Sequence, residues 1–160
     1  MEEASNPVVA SRSKVATLCS ALNEAGARYV VAGAQAGILR GHVRATRDID
    51  LLIEPTETNA KLVLDALASV GFILVRDLDP REVASSHVTV IGDLWHVDLF
   101  TRAWNVRFED AVRDATPIEV DGVPVPTMSI RHLIESKRTG RLQDAADIEE
   151  LERILELGGQ

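Results

Sequence analysis

Cysteine occurs once, at Cys19, so no internal disulfide can form and no cysteine-based zinc site can be assembled. Cys19 falls on the helical stripe of "KVATLCSAL" and is read as a small core residue rather than a nucleophile. Aromatic residues make up 4% of the 160 positions, and Tyr29, Trp95 and Trp104 are read as packing residues rather than as base-stacking platforms. Positive charge is in deficit, with 17 basic against 25 acidic residues and a net charge of −8. That balance argues against a sequence-independent grip on a nucleic acid backbone. The local exception is "RHLIESKRTGR", which gathers Arg131, Lys137, Arg138 and Arg141. No apolar run approaches the roughly 18 residues that cross a bilayer, and the opening "MEEASNP" is acidic where a secretory signal is basic. The expectation is a cytoplasmic protein without a membrane segment.

What is present belongs to an ordinary globular chain: 46% hydrophobic and 26% charged residues, with no signature of disorder. The length suits one domain over 1–160, with an N-terminal helix in 1–27, a sheet-and-helix body in 28–128 and C-terminal helices in 129–160. Residues 11–25 place Val15, Leu18, Cys19 and Leu22 at amphipathic spacing, and Gly26 ends the helix. "RYVVAG" predicts a short buried strand stopping at Gly33, "AQAGILRG" a brief helix, "DIDLLIE" a second strand, and "TETNAKLVLDALASVG" a third helix closed by Gly71. "FILV", "HVTVIG" and "WHVDLF" are strand candidates, the last two joined as a hairpin through "GD". "VRFEDAVRDA" reads as a helix and "TPIEVDGVPVPT" as a hairpin whose second arm Pro124 and Pro126 confine to a sheet edge. Two helices, "SIRHLIESKRTG" and "RLQDAADIEELERIL", meet at Gly140. The fold class is therefore α+β, a mixed sheet flanked by helices with a C-terminal helical pair.

Two carboxylates interrupt the second strand. Asp48 and Asp50 are two residues apart, so they share a face at about 6.8 Å along the backbone while Ile49, Leu51 and Ile53 point the other way. A dry pair of like charges is unstable without a cation between them. Asp98 stands in the same relation to Val97 and Leu99. If the two strands are neighbours, three acids converge, a donor set suited to two magnesium ions and in-line phosphoryl displacement. The ordinary alternative is a solvent-facing Asp48, with Asp50 paired to Arg44 or Arg47.

The order "VAGA" at residues 31–34, "DIDL" at 48–51 and "VDL" at 97–99 resembles the nucleotidyltransferase superfamily, the polymerase-beta-like fold. The resemblance implies that Gly33 forms the phosphate-receiving turn, that Asp48 and Asp50 are metal ligands, and that Asp98 is the third ligand and the base. It places Ala34 where the family usually has glycine or serine, so phosphate contact there falls to backbone amides, and Thr46 where a threonine or serine often precedes the acids. The segment 123–151 is similar to the tail of small bacterial nucleotidyltransferases of the abortive-infection and toxin–antitoxin type. Lys137 continues the stripe of Ile130, Leu133 and Ile134 and suits a triphosphate, although a lysine snorkelling past the core fits the same spacing. Asp144 is in phase with Ile148, Leu151 and Leu155; Asp144 and Asp147 also suit a helix N-terminus, and Arg141 can pair with either.

The implied activity is transfer of a nucleoside monophosphate from a nucleoside triphosphate to an acceptor, with magnesium as cofactor. The tail favours a toxin-like enzyme acting on transfer RNA or protein, with an antitoxin as possible partner. Two alternatives stand beside it: a small-molecule, antibiotic-type nucleotidyltransferase, and a degenerate domain that binds nucleotide or protein without turnover.

Overall fold

The computed structural model describes residues 7–160; the acidic opening segment, residues 1–6, lies outside them. Helix α1 (Pro7–Ala25) is followed by strand β1 (Tyr29–Ala32), helix α2 (Gly33–Leu39), strand β2 (Asp48–Ile53) and helix α3 (Glu57–Val70). Then come a 3₁₀ turn (Leu74–Asp77), helix α4 (Pro80–Ser85), and strands β3 (Val88–Ile91), β4 (His96–Phe100), β5 (Arg102–Ala103) and β6 (Val106–Arg107). Helix α5 (Phe108–Asp114), strands β7 (Thr116–Val120) and β8 (Val123–Thr127), and helices α6 (Ile130–Ser136) and α7 (Leu142–Glu156) complete the chain. Among the described residues no helix is long and apolar enough to cross a membrane.

Six strands form one mixed sheet in the order β3-β4-β2-β1-β8-β7, with β5 and β6 as a separate small hairpin. β1 is antiparallel to β2, β2 is parallel to β4, and β3 and β7 are antiparallel arms on the two edges. This is the expected α+β architecture with a mixed sheet. The α1 stripe is fully buried, and burial pushes the Cys19 thiol up to about 11, well away from nucleophilic use. Helix α3 starts where the Thr56 side chain accepts a hydrogen bond from the Asn59 amide and stops at Gly71, in the left-handed region. The apolar sides of β2 and β4, including Ile49, Leu51, Val97 and Leu99, lie in the same hydrophobic cluster as α1 and α3.

Three expectations are corrected. "FILV" is not a strand: Phe72 is buried against Trp95 with ring centroids 5.7 Å apart. The amides of Ile73 and Leu74 donate to Asp93 at 2.6 and 3.3 Å, which curls the segment into the 3₁₀ turn. β8 is interior rather than at the edge. Met128 donates to Val31, so residues of its parity, Pro124 and Pro126, turn their donor-less nitrogens toward β1. β8 pairs with β1 only through Thr127 opposite Val31, and the Pro124 carbonyl accepts from Asn23 on α1 instead, so no ladder bond is lost. Helix α6 ends at Ser136, short of the expected run to Gly140, with Lys137 as its C-cap; the Lys137 side chain stays on the inner side, 12% exposed. Helix α4 went unread, although Asp79 capping before Pro80 is a start signal.

The junction of β1 with α2 positions the acidic face. Ala32 lies opposite Asp50, and Gly33 then turns with φ at +59°. A Cβ built on Gly33 would meet Asp50 Oδ2 at 2.0 Å and Cγ at 2.9 Å. The carboxylate therefore lies directly over the glycine. Gly33→Ala should destabilise by on the order of 2–4 kcal/mol, combining left-handed strain with displacement of Asp50. Gly122→Ala, at φ +79° with nothing within 4 Å, should cost only about 1 kcal/mol of strain. Urea denaturation of both variants measures the difference, and equal losses would show that the carboxylate does not need that space.

Candidate active site

The parallel pairing of β2 with β4 sets Asp50 directly opposite Asp98 and Asp48 opposite His96. Along β2 the burial alternates as the pleat requires: Asp48 exposed, Ile49 buried, Asp50 half-buried, Leu51 buried. Asp48 is the outermost because β1 ends opposite Asp50, leaving only β4 beside it. Its Oδ1 lies 3.9 Å from His96 Nδ1. Arg44 does not reach Asp50, and no ion pair with Arg47 forms among the described residues.

Two of these acids are held against their ionised forms. Burial, followed by the charges of Asp98 and Asp48, pushes the Asp50 carboxyl up to about 7, with Lys137 acting in the opposite direction. Burial and Asp48 likewise raise Asp98, against a lowering by His96. Asp98 Oδ1 is buried and has no hydrogen-bond partner. Buried acceptors without partners are rare, and this one belongs to the residue directly opposite Asp50 in the sheet. Among the described residues, no three His, Cys, Asp or Glu side chains are gathered as they stand into a metal-holding group. Asp48, exposed at the strand end, is the side chain with room to turn inward.

The C-terminal region and the segment leading into β2 supply the cations, already engaged. Lys137 Nζ donates to Asp147 at 2.9 Å, and Arg44 Nη1 reaches the same oxygen at 2.7 Å. Burial alone would raise the Asp147 carboxyl; Lys137 by hydrogen bond and charge, then Arg44 and His42, hold it below the ordinary range. Asp144 is buried and bonded to Thr139 and to Arg141 Nε, the latter at 2.7 Å. An open cleft of about 220 Å³ joins Gly33 and Asp50 to Lys137, Arg141 and Asp144. Gly33, Asp50, Lys137 and Asp144 are thus brought together. Thr46 is not among them: its hydroxyl accepts from the Asp48 amide at 3.2 Å, and it lines a separate groove with Arg47 and His96. Ala34, the second residue of α2, does not line the Lys137 cleft.

Arg44 and the anchoring role of Asp147 were missed from the sequence. Their contact spans 103 residues of chain, so no local periodicity announces it. Trp104 was read as a packing residue, yet it is 53% exposed and lines the cleft.

No family model matches the chain, and no curated protein matches it. Among solved structures, it is similar to an antigenic nucleotidyltransferase-like protein from Paracoccidioides brasiliensis, with a TM-score of 0.57 and 18% identity over 91% of this chain and 75% of that one. At that identity the likeness establishes the fold: the α+β architecture with its six-stranded mixed sheet is the nucleotidyltransferase-like one.

Proposed function

We propose that the chain is a metal-dependent nucleotidyltransferase that moves a nucleoside monophosphate from a nucleoside triphosphate to a hydroxyl acceptor and releases pyrophosphate. The observation that carries this is the register of Asp50 against Asp98, with Asp98 Oδ1 buried and unpartnered. The donor set fits magnesium, which takes hard oxygen ligands and shares itself between one or two carboxylates, water and substrate phosphates. Asp48 and Asp50 are the residues to hold two such ions, with Asp98 joining on one. When bound, magnesium neutralises triphosphate charge and eases deprotonation of the acceptor. Asp98 receives the acceptor proton, Lys137 meets the phosphates in the cleft it shares with Asp50, and the amide at Gly33 remains as a donor where no side-chain hydroxyl is available. Thr46 fixes the entry of β2, and Asp144 holds Arg141 at the cleft rim.

The acceptor favoured is a protein or small-molecule hydroxyl rather than RNA. The basic segment 131–141 already pairs Lys137 with Asp147 and Arg141 with Asp144, and the net charge of −8 opposes a sequence-independent grip on a phosphate backbone.

Incubation with each α-labelled nucleoside triphosphate and magnesium in a cell extract should move label into an acceptor fraction. Asp48→Ala, Asp50→Ala or Asp98→Ala should each reduce transfer by about 10²-fold or more, and chelation should abolish it. Metal-dependent nucleotide binding without any transfer would assign a binding module instead.

A second test uses pH. In the metal-free protein the folded Asp50 carboxyl keeps its proton up to about 7, whereas an unfolded aspartate releases it near 4. Its contribution is therefore complete below about pH 4 and is lost as pH rises through 7, on the order of 2–4 kcal/mol. Asp50→Asn should flatten that loss in thermal melts between about pH 4 and pH 8. Magnesium should raise the melting temperature of the parent protein at the alkaline end and leave the Asn variant unmoved; equal responses would remove the carboxylate from the ion site.

A further inference from the structure

The β5–β6 hairpin turns at Trp104 and Asn105, and Trp104 sits there with φ at +56°. A left-handed backbone is costly for a bulky residue and is where glycine or asparagine is expected. The indole is also 53% exposed, so burial does not offset that cost. The hairpin is nevertheless held in place: the Asn105 side chain donates to Glu135 on α6, the helix whose C-cap is Lys137. Trp104 therefore stands on the wall of the cleft that contains Asp50 and Lys137. Phe100 and His87, whose rings meet edge-on at 6.2 Å, line the same cleft. The cleft thus combines cationic side chains suited to phosphate, Lys137 and Arg141, with the aromatic rings of Trp104 and Phe100.

We propose that Trp104 is the platform on which the nucleobase of the bound nucleotide stacks, an assignment that rests on the nucleotidyl-transfer reading above. Residues held in strained backbone regions cluster at active sites and ligand clamps. Every base has a π-face, and stacking on an aromatic side chain suits any of them, purines most because of their larger ring area. The triphosphate then runs from Trp104 toward Lys137 with its α-phosphate over the acidic face.

Two substitutions separate ligand binding from folding. In Trp95→Phe, Trp104 is the only indole left in the chain, and its fluorescence should be quenched on titration with ATP or GTP, less with CTP or UTP, and not with inorganic tripolyphosphate. Trp104→Gly should weaken ATP binding by about tenfold, at the lower range expected for a lost stack. Tripolyphosphate affinity should be unchanged. Because glycine relieves the left-handed backbone, this variant should melt at or above the temperature of the parent, and Trp104→Phe should restore most ATP affinity. Unchanged ATP affinity in Trp104→Gly, or quenching as strong with tripolyphosphate as with ATP, would overturn the platform alone. Failure of the parent protein to bind either ATP or tripolyphosphate with magnesium would overturn the platform together with the reading on which it rests.

Discussion

The structure is organised around one unfavourable contact, the juxtaposition of Asp50 and Asp98 on adjacent parallel strands. Neighbouring strands run roughly 4.8 Å apart, and two ionised carboxylates at that spacing repel by on the order of 3 kcal/mol at the effective dielectric of a protein. Solvent does not relieve it, since both side chains are half-buried and one oxygen of Asp98 is sealed from water without a donor. Folding tolerates the pair because the surrounding core is extensive: β2 and β4 bury Ile49, Leu51, Val97 and Leu99 on the opposite face. The register that maximises that apolar burial is the same register that forces the acids together. A one-residue slip would separate them only by sending the apolar set to solvent.

The cations nearest the acidic face do not cancel it. Lys137 and Arg44 are both committed to Asp147, and Arg141 to Asp144. Had Lys137 paired with Asp50, the face would be satisfied and inert. Asp147 instead joins α7 to α6 and to the segment leading into β2, holding Lys137 and Arg44 in ion pairs of their own. Breaking such a buried pair is costly because the remaining charge is stranded, which makes the separation of charges a durable feature rather than a chance rotamer.

Gly33 links these two features to the cleft. Backbone alone at that position leaves the space that the Asp50 carboxylate occupies, and Ala32 opposite Asp50 determines that the carboxylate falls there. The glycine is therefore required first by a side chain of its own chain. The cleft above it gains its exposed aromatic ring from a two-residue turn in which local backbone preference is overridden by tertiary placement, the Asn105 to Glu135 tether holding the turn beside α6.

The amphipathic spacing of α1, the alternation along β2 and β4, the glycine at the first turn and the hairpin at 116–127 were legible in the sequence, because each is a local pattern of apolar and turn-forming residues. The common face of Asp48 and Asp50 followed from the two-residue period of a strand alone. Other features depended on the tertiary fold. The strand order that places β4 beside β2, the interior position of β8 despite its prolines, and the curling of 72–77 onto Asp93 are settled by contacts between distant segments. The Arg44–Asp147–Lys137 cluster joins residues as much as 103 positions apart, and no periodicity encodes such a meeting. Sequence alone determined which side chains would share a face; only packing decided which faces would meet, since hydrogen-bond register and ion pairing are properties of segments already brought together.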